Sequence, residues 1–139
     1  MHFPLHHWIW ASALVGASGL ALWRGRAPER LAAIGALAAW ILSLLAQDTH
    51  AFFDPQFGIL AVDIGFLAFL IWLALTRDRI WLLFAAAFQL LGVVTHLASL
   101  AETEVRNLAY LRSLAIWGYM FVIALAVGAL TARPRPPGR

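Results

Sequence analysis

Two ionisable side chains stand inside long apolar stretches of this sequence, Asp63 within Phe57 to Leu75 and His96 within Ile80 to Leu100. A carboxylate at the centre of a membrane helix costs roughly 3 kcal/mol by insertion scales, so residues of this kind pair with one another, line polar space or carry protons. Counting from Asp78 in the short turn between the two stretches, Asp63 lies 15 residues back and His96 18 residues forward. At ~1.5 Å per residue their depths differ by about 4 to 5 Å, so antiparallel helices joined by that turn let the two groups meet. His96 shares a helical face with Gln89, Gly92 and Ser99, and Thr95 lies beside it, which makes a polar stripe at the 3.6-residue period. Asp63, Gln89, Thr95 and His96 are therefore the candidate intramembrane polar site. The plain reading is a packing seam in which each interhelical hydrogen bond contributes ~0.6 to 2 kcal/mol. The sharper one is a proton-handling or ligand-polarising pair.

The remaining histidines, His2, His6, His7 and His50, cluster toward the same side as His96, with Asp48 and Asp54 near in sequence. Imidazole and carboxylate together suit several divalent ions, but the spacing matches no metal site: Pro4 disfavours a regular helix between His2 and His6, and the adjacent His6 and His7 diverge. No metal site is assigned. A haem would need axial ligands at matching depth, and His7 with His96 is the one pairing that can be constructed. Gly16-Ala17-Ser18-Gly19 looks like the nucleophile motif of rhomboid-type intramembrane proteases. Helical rise puts Ser18 roughly 16 Å from the depth of His96, however, where a general base must come within ~3 Å. The segment reads as small-residue helix packing, and no catalytic residue is assigned.

The elements that must position these groups are set by composition. The chain has 139 residues, 63% of them hydrophobic and 12% charged, more apolar surface than a water-soluble domain of this size could cover. Five segments are long enough, or nearly so, to cross a hydrocarbon core: 5–23, 31–46, 57–75, 80–100 and 108–130. The expected fold is all-α, a single integral membrane helical bundle of about five transmembrane helices. Arg24 to Arg30 with Pro28, Gln47 to Gln56 with Pro55, Thr76 to Arg79 and Ala101 to Asn107 read as breaks. There is no cysteine, which removes disulfide and thiolate chemistry. The net charge of +3 and pI near 10.6 come from arginines clustered between apolar runs, so they mark topology and point to no nucleic-acid partner.

Arg24, Arg26 and Arg30, then Arg77 and Arg79, then Arg133, Arg135 and Arg139 alternate with breaks that hold Asp48, Asp54, Glu102 and Glu104. The positive-inside rule then places the N-terminus outside and the C-terminus in the cytoplasm, the leading segment being a retained helix. Trp8, Trp10 and Trp117 fall near the outer interface and Trp23, Trp72 and Trp81 near the inner one, with Trp40 between them. Small residues four apart, Ser12 with Gly16, Gly35 with Ala39 and Ala124 with Gly128, suit close helix approach. The basic, proline-rich tail from Ala132 to Arg139 reads as an anchor beside anionic lipid. The absence of lysine suits a GC-rich bacterial genome.

Ala27-Pro-Glu-Arg30, Leu60-Ala-Val-Asp63, Phe84-Ala-Ala-Ala-Phe-Gln-Leu-Leu-Gly-Val-Val-Thr-His-Leu97 and Ile116-Trp-Gly-Tyr119 carry a resemblance over most of the chain after the first helix. It resembles a group of small multi-spanning inner-membrane proteins of alphaproteobacteria, sphingomonad-like ones above all, that has no established activity. The resemblance implies a multi-pass protein of the bacterial inner membrane and implies no mechanism. Taken together, the expected function is non-catalytic: an accessory or structural subunit packing against a larger respiratory or photosynthetic complex, with lipid and other membrane subunits as partners. The alternative is a small transporter, or a protein handling quinone, haem or protons through Asp63 and His96 near the outer leaflet. A pigment at an interface is a further cofactor consistent with this picture.

Overall fold

The computed structural model describes residues 5–47, 57–101 and 108–132. These form five α-helices: α1 (Leu5–Arg24), α2 (Ala27–Ala46), α3 (Phe57–Thr76), α4 (Ile80–Ala101) and α5 (Leu108–Leu130). Four of them, α2 to α5, are long and apolar enough to cross a membrane. α1 is as long as α2, but His6, His7 and three indoles dilute its apolar run. Each helix packs against the next in sequence, α5 returns to α1, and α2 touches α5 across the middle, so the five form a closed ring. Short hairpin connections favour this arrangement of antiparallel neighbours.

Helix boundaries agree with the apolar runs except at the start of α2, which begins at Ala27 and not at Leu31. Pro28 reads as a break in the sequence, yet proline is well tolerated in a first helical turn, where its missing N–H has no intrahelical partner to lose. The Glu29 carboxylate completes the start by accepting the backbone N–H of Arg26 through Oε2 at 2.8 Å. The turn between α1 and α2 is thereby reduced to Gly25 and Arg26. At the other tight turn the Arg77 N–H still reaches the Leu73 carbonyl, and the Leu82 N–H bonds the Arg79 carbonyl as α4 opens.

The core packs the alanines of α1 and α2, and some from α4 and α5, against larger side chains that come mostly from α3 to α5. Ala21, Ala32, Ala33 and Ala85 are fully buried beside Leu70, Leu73, Leu82 and Leu125. Two of the expected small-residue pairs mark close contacts. A Cβ at Gly35 would lie 2.6 Å from the Phe69 ring, and one at Gly128 2.5 Å from the Trp81 indole. The third pair does not: Ser12 and Gly16 face outward, and Gly16 has no neighbour within 4 Å of its Cβ position.

The aromatic assignments also need revision. Trp8, Trp23 and Trp72 are exposed, as interface anchors should be. Trp81 is 7% exposed and belongs to the core. Trp10 packs its indole over Gly118 and meets Trp40 edge-on at 6.0 Å, so it too joins helices together. Both indoles are drawn inward by a glycine on α5 that leaves room for a ring.

Candidate functional site

The candidate site lies where α3 and α4 face each other, away from the arginine-bearing turns. His96 Nε2 stands 3.0 Å from Asp63 Oδ2, with the two side chains 12% and 24% exposed. Gln89 Nε2 donates to Asp63 Oδ1 at 3.2 Å and to the Asp63 carbonyl at 3.3 Å. One carboxylate is thus gripped by two residues of α4 spaced seven apart, two helical turns on one face. Ser99, the next polar position of the stripe, turns its hydroxyl to the His96 carbonyl at 2.7 Å.

Thr95 belongs to a different contact. Its hydroxyl donates to the Leu91 carbonyl at 2.7 Å and accepts the Trp117 indole N–H at 3.1 Å, joining α4 to α5. The four sequence candidates therefore divide: Asp63, Gln89 and His96 come together, and Thr95 stands next to them on the α5 side. Chemically, the trio is a carboxylate and an imidazole within hydrogen-bonding distance, oriented by an amide.

The other sequence candidates are not assembled with it. His7 is exposed on α1, which makes no contact with α4 among the described residues. His96 directs its Nε2, one of the two ring nitrogens able to bind a haem iron, at Asp63. Ser18 lies on the same non-contacting helix α1, buried in the core at 1% exposure with no hydrogen-bond partner at Oγ. A protease-like serine and base are not brought together. His2, His50, Asp48, Asp54, Glu102, Glu104 and the tail arginines Arg133, Arg135 and Arg139 lie outside the described residues. Among those that are described, no three potential metal-binding side chains converge.

A second polar cluster, at the arginine end, was not anticipated as a site. Glu29 is fully buried, and its Oε1 accepts the Trp81 indole N–H at 3.0 Å and stands 3.0 Å from Arg79 Nη2. Arg79 in turn donates to the Gly128 carbonyl at 3.0 Å and the Thr131 carbonyl at 3.4 Å, at the C-terminal end of α5, where a cation offsets the helix dipole and unpaired carbonyls. The cluster ties α2, α4 and α5 at one point and uses every oxygen of the buried carboxylate. Its legible signal is an acidic residue in the first turn after Pro28, which announces a helix start. Nothing local announces that Arg79, one of the topology-marking arginines, is its partner.

Comparison of the chain with models of protein families, with curated proteins and with solved structures finds no match in any of the three.

Proposed function

We propose that this chain is an accessory or structural subunit of a larger assembly in a bacterial inner membrane, with a respiratory or photosynthetic complex as host. All five helices cross the bilayer in this reading, with the N-terminus outside and the C-terminus in the cytoplasm. Exposed Arg24, Arg26, Arg30 and Arg77 gather with Arg79 at one end of the bundle, which supports that orientation. The resemblance to the alphaproteobacterial group supports the inner membrane as setting.

The observation that carries the reading is the outward face of α1. It runs from Trp8, 63% exposed, to Trp23, 79% exposed, and its middle is the flat strip Ser12, Gly16 and Gly19. Gly16 and Gly19 have nothing within 4 Å of their Cβ positions. α1 is also the helix left out of the group apolar enough to cross alone. A strip of small residues gains little from disordered lipid tails and much from a second helix, whose backbone it lets approach closely. The ionisable groups of the apolar segments, by contrast, close on each other inside the chain.

Substituting leucine at Gly16 and Gly19 together should leave the isolated chain folded, because both positions face outward and a Cβ at either meets none of its own atoms. In mildly solubilised native membranes the wild-type chain should migrate with a larger complex, and the double variant alone with unchanged circular dichroism. A wild-type chain that migrates alone in every mild detergent would sink the proposal.

A further inference from the structure

The outer side of the bundle carries an open groove of about 280 Å³ where α2 and α3 run side by side. Gly35, Ala38 and Ala39 form its α2 wall, and Gly65 lies across from them on α3. Small residues on both helices leave a space that the rings of Phe66 and Phe69 line from the bundle side. The Phe69 ring already takes the place of a side chain at Gly35, whereas a Cβ at Gly65 meets nothing within 4 Å. Counted along α2, the groove begins at Gly35, five residues past Arg30, and ends at Leu42, twelve past it. At ~1.5 Å per residue it runs from about 8 to 18 Å below Arg30. A head-group layer is roughly 5 to 8 Å deep and one hydrocarbon leaflet about 15 Å, so the groove lies at acyl-chain depth beneath the arginine end. That end presents exposed Arg24, Arg26, Arg30 and Arg77, with Asp78 as the exposed carboxylate among the described residues. The Arg77 N–H still bonds the Leu73 carbonyl, so Arg77 keeps the register of α3 and stands three turns past Phe66 on the same face.

We propose that this groove seats one acyl chain of an anionic phospholipid whose phosphate meets Arg77 and the neighbouring arginines. Width decides between a lipid chain and a protein segment. Spread over about 10 Å of helix rise, 280 Å³ is a channel about 5 to 6 Å across. A helix with its side chains measures ~10 to 12 Å, so the space admits a single hydrocarbon chain and excludes a partner helix. Charge then decides the head group. A guanidinium matches phosphate oxygens with two parallel N–H donors, and several arginines at one rim favour a head group that brings no cation of its own. The smaller groove between α4 and α5, about 190 Å³, opens at Trp81 just below Arg79, whose charge Glu29 already meets. The α2 and α3 site needs a bilayer and no partner subunit, so it stands or falls separately from the accessory-subunit reading.

The test releases the full chain from nanodiscs of equimolar phosphatidylglycerol and phosphatidylcholine with matched acyl chains, and weighs the lipid it retains by native mass spectrometry. The wild-type chain should keep a phosphatidylglycerol in preference to phosphatidylcholine. Gly65→Leu fills the groove from a position where a Cβ touches nothing, so retention should fall about tenfold or more with helix content unchanged or higher. Arg77→Gln, at an exposed position outside the groove, should cut the preference for phosphatidylglycerol about fivefold, the effect of one basic residue at an anionic surface. Gly16→Leu adds the same bulk on α1 and should change neither quantity. Equal retention of the two lipids by the wild type, retention by Gly65→Leu equal to wild type, or release of a lipid-free dimer would each overturn the proposal.

Discussion

Replacing Glu29 by alanine is expected to destabilise the bundle by about 3 to 5 kcal/mol, the cost typical of breaking a buried ion pair from one side. Glu29 is completely buried and supplies partners to three donors on two other segments: the Arg26 N–H, the Trp81 indole and the Arg79 guanidinium. Its removal leaves the indole N–H without an acceptor inside the core and Arg79 without its counter-charge. Arg79 is 24% exposed and keeps the α5 carbonyls, so part of its charge can turn to solvent. Trp81 has no such exit. The prediction is checked by denaturant titration of the purified chain in micelles, with the double variant Glu29→Ala, Arg79→Met as reference. If the pair is coupled, the double variant loses much less than the sum of the two single changes. Additive losses would mean that the two side chains stabilise the fold independently and that the clamp joining α2, α4 and α5 is not a unit.

What the sequence discloses here depends on how local the cause is. Helix positions follow from runs of apolar residues about as long as the bilayer is thick, and all five observed helices overlap the expected segments closely. The Asp63 and His96 contact is legible for the same reason: the turn from Arg77 to Arg79 is so short that counting along two helices fixes their relative depth. The start of α2 is misread because Pro28 signals a break in most contexts and a first turn in this one, and the surrounding arginines reinforce the wrong choice. Glu29 then goes unnoticed as one more charge in a polar turn. Its burial follows from how α4 and α5 close over it, a tertiary cause with no local periodicity. Trp81 is the same case from the aromatic side. At the first turn of a helix it has the position of an interface anchor, and only the notch at Gly128, on another helix, turns it inward.

That notch sets the second large effect. Gly128→Leu should cost at least as much as an ordinary overpacking substitution, about 1 to 3 kcal/mol, and should add the loss of a buried hydrogen bond, about 1 to 3 kcal/mol more. The Cβ alone would come within 2.5 to 2.8 Å of three atoms of the Trp81 indole, a rigid ring that cannot yield by bending a flexible end. To make room the indole must swing away from Glu29 Oε1, so a steric change on α5 breaks a polar contact between α4 and α2. Alanine at the same position should already show most of the effect, since the clash is with Cβ. Trp81 reports the outcome directly: its displacement from a buried, hydrogen-bonded position should shift and broaden its fluorescence relative to a variant keeping tryptophan only at position 81. The decisive comparison is Gly128→Ala with Trp81→Phe and with both changes together. Phenylalanine lacks the indole N–H and is smaller, so in its presence Gly128→Ala should lose most of its cost. A Gly128→Ala penalty unchanged in the Trp81→Phe background would show that α5 resists a side chain there for some reason other than the indole, and that the inward turn of Trp81 is not what glycine at this position is for.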